Sequence, residues 1–68
     1  MTLHEAMIIA IRELGGGKQH ITDIANYINE HKLYVRGDGA PVLRNQISAR
    51  INKYPHLFSR AEGYVWKN

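Results

Sequence analysis

The stretch from the first proline of the chain to the residue before the second, PVLRNQISARINKY at residues 41–54, constrains the fold more than any other segment. Proline is favoured in the first turn of a helix and cannot continue one, so we expect a helix that begins at Pro41 and ends before Pro55. Its outer side carries arginine, amide and hydroxyl groups and no carboxylate, which is typical of a surface that meets an anion. Its apolar residues recur at helical spacing and predict one buried stripe, made of Leu43, Ile47, Ile51 and Tyr54.

The length of 68 residues allows one domain with a modest core, because a chain of this size buries only about 60% of the surface of its unfolded form. A hydrophobic fraction of 44% argues against disorder along the whole chain. The absence of cysteine excludes a disulfide framework and a thiolate zinc site and favours an intracellular setting. The longest apolar run, residues 6–11, is too short to span a bilayer, so we expect a soluble protein without a membrane partner.

The formal charge of +3 is unevenly distributed along the chain. Residues 1–35 hold three basic and four acidic side chains, a net charge of −1, whereas residues 36–68 hold six basic and two acidic ones, a net charge of +4. A basic half that includes the helix between the prolines favours an acidic partner, although charge by itself says nothing about fold.

Two further helices are predicted in the first half. Thr2 and Glu5 form a capping-box pattern at the start of the first, and Gly15–Gly17 supply residues that tolerate a positive φ at its end. The glycines followed by Lys18 lack the preceding strand and the following hydroxyl residue of a phosphate-binding loop. The apolar face of this helix is broad and suggests cover on more than one side: Leu3, Ala6, Met7, Ile8, Ile9, Ala10, Ile11 and Leu14.

The second helix is expected to follow a short strand at residues 19–21. Thr22 is the predicted N-cap, Asp23 lies favourably in the first turn, and the helix should end near His31. Its inward residues are predicted to be Ile24, Ala25 and Ile28.

The tail after Pro55 predicts a β-hairpin. Residues 58–61 and 64–66 have strand character, and Glu62 and Gly63 between them supply a tight turn. The whole chain therefore predicts a mostly α fold with a small β-hairpin: a winged helix-turn-helix of three helices and a two- or three-stranded antiparallel wing sheet, as one domain over residues 1–68.

Residues in three segments carry a resemblance to a known family. They are Leu3, Glu5 and Ala6 at the start; Ile21, Thr22, Ile24 and Ile28 in the second helix; and Leu33, Tyr34, Gly39, Pro41, Ile47, Ala49, Arg50, Ile51, Tyr54, Pro55, Leu57 and Phe58. On these residues nearly the whole chain resembles the HARE-HTH family, the winged-helix module of restriction-associated bacterial proteins, Asx-like chromatin proteins and the delta subunit of bacterial RNA polymerase. The resemblance implies DNA binding within a larger system for transcription or restriction-modification. The polymerase branch acts through protein contact, so a protein ligand is the alternative.

In the DNA-binding interpretation, the third helix enters the major groove and the hairpin wing lies on the phosphate backbone. The candidate contacts on the helix are Arg44, Asn45, Ser48 and Asn52. Further candidates for the phosphate backbone are Arg36, Lys53, Arg60 and Lys67. We expect Arg50 to extend along the packed stripe instead. For each of these side chains the alternative is an ordinary solvated surface position.

Other chemistry is not indicated. No two of the four histidines have the spacing of metal ligands on a helix, so we expect neither a metal nor a cofactor. Ser48 and Ser59 have no evident general base, so we expect no catalysis. The hairpin aromatics are expected in the core: Phe58, Tyr64 and Trp66.

Double-stranded DNA is the expected partner of a monomer, with a homodimer as the alternative. A protein-interaction module, docking through Ile8, Ile9, Tyr34 or Val35, is the second hypothesis, and a fused catalytic domain is compatible with either. The resemblance implies a cytoplasmic, nucleoid-associated protein in bacteria and a nuclear one in eukaryotes.

Overall fold

Three helices and a three-stranded antiparallel sheet make up the computed structural model, which describes residues 1–68. Along the chain they are α1 (Leu3–Glu13), β1 (Gln19–His20), α2 (Ile21–Glu30), α3 (Arg44–Lys53), β2 (Phe58–Ala61) and β3 (Tyr64–Lys67). The strand order is β1-β3-β2, so the second strand of the hairpin is central. The predicted winged helix-turn-helix fold, with a three-stranded wing sheet, is confirmed. None of the three helices combines the length and apolarity needed to cross a membrane.

The predicted ends of α1 are confirmed. The Thr2 N–H donates to Oε1 of Glu5 at 2.8 Å, and the Glu5 N–H donates to Oγ1 of Thr2 at 3.3 Å, which completes the capping box. After the helix, Gly15, Gly16 and Gly17 all have positive φ. The helix packs against α2, α3 and β3, as its broad apolar face predicts. Ile8 and Ile9, at the margins of that face, are half-buried.

The core is entirely apolar and draws on every helix and on both strands of the hairpin. Burial of these side chains is the main source of stability in so small a domain. The largest that are fully buried are Met7, Ile24, Ile28, Ile47 and Val65.

The predicted start of α2 at a Thr22 cap is wrong by two residues. The N-cap is His20, whose Nδ1 accepts the Thr22 N–H at 3.2 Å. His20 pairs with Tyr64 across the sheet, and the Ile21 N–H donates to the Gly63 carbonyl at 2.8 Å. The short strand is therefore one residue shorter than predicted, because Ile21 already belongs to α2, and the last strand residue, His20, is the N-cap of that helix.

The predicted start of α3 at Pro41 is also wrong, because residues 41–43 are not helical and the helix begins at Arg44. Leu43 is the N-cap and is 51% exposed, whereas Val42 is buried in its place. The side chain of Asn29 in α2 bonds to both the N–H and the carbonyl of Val42, and it thereby holds this segment outside the helix. Ile47 and Ile51 are buried, as predicted.

The hairpin has the predicted two-residue turn and the predicted strands, with β3 one residue longer than expected. Glu62 and Gly63 both have positive φ, at 53° and 85°, as a type I′ turn requires. Alternation along β3 places Val65 on the face that meets the helices and Trp66 and Tyr64 on the other face. Trp66 is half-buried, with Nζ of Lys18 4.8 Å from its ring centroid, but Tyr64 is 47% exposed. The expectation of a core position is therefore wrong for both Tyr64 and Trp66, because helices cover only one face of the sheet.

Candidate nucleic-acid interface

An open hollow of about 290 Å³ lies between α3 and the tip of the hairpin. Arg44 and Ser48 line it from the helix, and Arg60 and Tyr64 line it from the two strands. The fold therefore brings three of the predicted contact residues, two from α3 and one from the wing, to a single concave surface.

The local structure explains why these side chains meet. Arg44 is the first residue of α3 and Ser48 follows one turn later, so both lie on the same side of the helix. In β2, Arg60 is two residues after the buried Phe58 and is paired with Val65, so it lies on the face of the sheet that meets the helices. The hairpin extends past the core at this point, which leaves Arg60 exposed beside the hollow.

The electrostatic character of the hollow follows from its unpaired arginines. Neither Arg44 nor Arg60 forms an ion pair or a side-chain hydrogen bond, since the two ion pairs of the structure are Arg12–Glu13 and Arg36–Asp38. One carboxylate, that of Glu62 in the hairpin turn, also lines the hollow. Two guanidinium groups against one carboxylate leave a net positive surface whose fork-shaped donors match phosphate oxygens.

The first turn of α3 adds backbone donors next to Arg44. Its N-cap, Leu43, has no side chain that can accept a hydrogen bond, and the N–H groups of Arg44 and Asn45 are without partners in the chain. Gln46 instead uses its Oε1 to accept the Leu43 N–H at 2.8 Å. Free N–H groups at a helix N-terminus favour an anion, here at the same edge as the guanidinium group of Arg44.

The outermost face of α3 is small and polar. Asn45, Ala49 and Asn52 are exposed there, and Ser48 beside them is half-buried. The predicted helix contacts Asn45 and Asn52 therefore border the hollow-lining residues along one continuous surface. No acidic residue occurs in α3.

The other predicted backbone contacts lie elsewhere. Arg36 is held in its loop by Asp38, with Nη2 2.9 Å from Oδ2, so it is neither free nor part of the hollow. Lys67 lies beside Arg12 and Gly16, at the opposite end of β3 from the hairpin turn. Lys53 lines a different hollow at the far end of α3, together with Arg50.

Arg50 was expected beside the packed stripe and not among the DNA contacts. It is half-buried, and it lines this second hollow with His4 and Tyr54, the last residue of that stripe. Its spacing of six residues from Arg44 was the available signal, because that spacing places the two arginines on different sides of one helix.

No three His, Asp or Glu side chains lie close enough together to hold a metal ion.

The fold and the first hollow define a winged-helix domain with a cationic edge between its third helix and its wing. Comparison with protein-family models, curated proteins and solved structures found no match to this chain.

Proposed function

We propose that this chain is a DNA-binding winged-helix module, with α3 in the major groove and the hairpin on the phosphate backbone. The observation that carries the proposal is the convergence of two unpaired arginines, Arg44 from the helix and Arg60 from the wing, on one open hollow. Both are free to bind phosphate, and Arg44 is also placed to reach a guanine edge.

The dimensions of α3 suit this role. Ten residues make a helix about 15 Å long, and a helix with its side chains fits a major groove about 12 Å wide. The small outer residue Ala49 allows close approach to the bases, and Asn45 and Asn52 offer amide groups that can pair with adenine. Ser48, nearer the wing, supplies a hydroxyl for a phosphate.

The resemblance to the HARE-HTH family supports the same proposal and extends it to a larger DNA-acting system for transcription or restriction-modification. Such a module adds recognition to a protein whose other domains act on the DNA.

A protein-interaction module is the second candidate, and exposed apolar side chains in the segment before α3 favour it. Val35 is 62% exposed and Leu43 is 51% exposed, at the two ends of the segment that contains Pro41. Of the four residues predicted to form an exposed apolar patch, only Val35 is exposed, because Ile8, Ile9 and Tyr34 are half-buried. If the protein is an interaction module, Val35→Ser should abolish binding of its protein partner and leave the affinity for DNA unchanged.

The proposal is tested by titrating a labelled duplex of mixed sequence at several salt concentrations and following fluorescence anisotropy. If about four phosphates are neutralised, the logarithm of the affinity falls against the logarithm of salt with a slope near −3.6. Arg44→Gln and Arg60→Gln should each weaken binding and reduce the slope by about 0.9.

Arg12→Gln is the matched control, because Arg12 is an exposed arginine on α1, outside the proposed face. It should bind like the unmodified protein. An absence of duplex binding at low salt, or equal effects of Arg12→Gln and Arg44→Gln, would contradict the proposal.

A further inference from the structure

A second hollow, of about 360 Å³, lies where the N-terminal end of α1 meets the last turn of α3. None of the residues that line it is acidic. Its polar and aromatic lining consists of Thr2, His4, Tyr34, Arg50, Lys53 and Tyr54.

Arg50 has the most unusual environment of these residues. It is half-buried, yet its guanidinium group makes no ion pair and no hydrogen bond. The carboxylate of Glu5, which follows His4 in the chain, does not line the hollow, and its Oε1 accepts hydrogen bonds from the N–H and the hydroxyl of Thr2, each at 2.8 Å. A partly desolvated guanidinium group with unused donors gains more from an incoming anion than a fully hydrated one does.

The Tyr54 ring has three basic side chains as neighbours at this hollow. The ring of His4 lies 4.2 Å from the Tyr54 ring, and Nζ of Lys53 lies 5.7 Å from its centroid. His56 approaches the same ring at 6.2 Å. With three neighbours, the Tyr54 ring is a support for cationic and imidazole groups and not a free platform for stacking a base, so the chemistry favours a phosphate.

The position of this hollow on α3 relates it to the first one. Arg50 follows Arg44 by six residues, which places it about 9 Å further along the axis and about 240° around it in the direction that passes over the exposed face of the helix. The exposed residues Asn45, Ala49 and Asn52 therefore have unpaired cations on both flanks: Arg44 and Arg60 on one, Arg50 and Lys53 on the other. The width of a helix with its side chains, about 10–12 Å, is close to that of the major groove.

We propose that this second hollow binds a phosphodiester group of the DNA strand opposite the one that Arg44 and Arg60 contact. This inference rests on the proposed DNA-binding function and makes α3 a helix held between both backbones of the groove. Arg50 is the principal ligand of the second phosphate, and Lys53 contributes at its exposed side.

The test compares Arg50→Gln, Lys53→Gln and the double variant with Arg12→Gln in the salt titration. Arg50→Gln should weaken binding by about tenfold, the effect of losing one charged hydrogen-bonded contact, and reduce the salt slope by about 0.9. Thermal unfolding checks that each variant is folded, and the exposed Lys53 offers a substitution that leaves the core untouched.

Duplexes with single uncharged methylphosphonates assign the strands. A methylphosphonate at the phosphate that Arg50 contacts should weaken binding of the unmodified protein but not of Arg50→Gln. A methylphosphonate at the phosphate that Arg60 contacts should likewise leave the binding of Arg60→Gln unchanged. The two methylphosphonates are expected on opposite strands. If Arg50→Gln and Lys53→Gln bind like Arg12→Gln while Arg44→Gln and Arg60→Gln are weakened, the second phosphate site is wrong and the proposed function stands. If the unmodified protein does not bind duplex DNA, both are wrong.

Discussion

The side chain of Asn29 in α2 holds the backbone of Val42 by a pair of hydrogen bonds. Its Oδ1 accepts the Val42 N–H at 2.8 Å, and its Nδ2 donates to the Val42 carbonyl at 3.0 Å. Val42 is itself buried, and the first residue of α3, Arg44, follows two positions later. This amide therefore fixes the point at which the chain enters the proposed reading helix.

Asn29→Ala is expected to lower the free energy of unfolding by about 1–3 kcal/mol, because it leaves two backbone groups of Val42 without partners. It should also weaken DNA binding, since the first turn of α3 loses its support. Urea denaturation and the duplex titration measure the two effects. Asn26→Ala, which replaces an exposed asparagine of the same helix, should change stability by less than about 0.5 kcal/mol. Equal stability of the two variants would refute the role of Asn29.

Gly63 is predicted to be the preferred residue at its position in the hairpin turn. It has a φ of 85°, and a Cβ atom added there would lie 3.1 Å from Nε2 of His20, the residue that caps α2. Gly63→Ala should therefore destabilise the fold by about 1–2 kcal/mol from the backbone strain alone. The control is Gly37→Ala, because Gly37 has no positive φ and no atom within 4 Å of an added Cβ. Melting temperatures that fall equally in both variants would contradict this account.

Glu62 combines an unfavourable backbone conformation with an unfavourable charge. Its φ is 53°, and its carboxylate is the only acidic group that lines the first hollow. Glu62→Asn and Glu62→Asp should both stabilise the protein, by up to about 1 kcal/mol, because Asn and Asp tolerate this conformation better. Only Glu62→Asn should tighten DNA binding, since it removes the charge. Equal tightening by both variants would show that the carboxylate does not oppose the DNA.

The capping box of α1 predicts a pH dependence of stability. Hydrogen bonds from the backbone N–H and the side chain of Thr2 hold the pKa of Glu5 below its ordinary value of 4.5. Because the folded state has the lower pKa, this stabilisation is present above the pKa of the unfolded state and is lost as the pH falls through that of the folded state.

The melting temperature of the unmodified protein should therefore fall between about pH 5 and pH 3 by more than that of Glu5→Gln. Glu30→Gln serves as the control, because it removes an exposed carboxylate that has no hydrogen bond in the structure. It should retain the acid sensitivity of the unmodified protein. If the melting temperature of Glu5→Gln falls as much on acidification as that of the unmodified protein, the capping box is not the source of the acid sensitivity.

Local chemistry made much of the fold predictable. The Thr2 and Glu5 box, the glycines after α1 and the Glu62–Gly63 turn are each decided by residues a few positions apart. The element order followed from these signals and from the spacing of the apolar residues, and it was enough to predict the winged-helix fold.

The errors occurred where distant segments decide the structure. Pro41 is suited to a first helical turn, but Asn29 holds the following Val42 in a non-helical segment. Histidine is an uncommon N-cap, and His20 takes this role because strand pairing with Tyr64 places it there. Alternation along β3 separates Val65 from Tyr64 and Trp66, but only the packing of the helices decides which of the two faces is covered.

The candidate site was predictable to a similar extent. Arg44 and Ser48 share one side of a helix, so their proximity followed from their spacing. Their approach to Arg60 depends on how the hairpin packs, and the hollow around Arg50 depends on residues from the opposite end of the chain. The charge distribution indicated a basic half, but only the packing separates Arg44 and Arg60 from Arg50, in two different hollows.

The most direct test of the DNA-binding account is a titration of the ¹⁵N-labelled protein with duplex DNA of mixed sequence, followed by amide chemical shifts. The account predicts that the largest shifts occur in residues 44–53 and 60–64, with smaller ones near His4, and that they diminish as salt is raised. Largest shifts on the exposed, acidic side of α2 near Asp23 and Glu30, or no shifts at low salt, would contradict it.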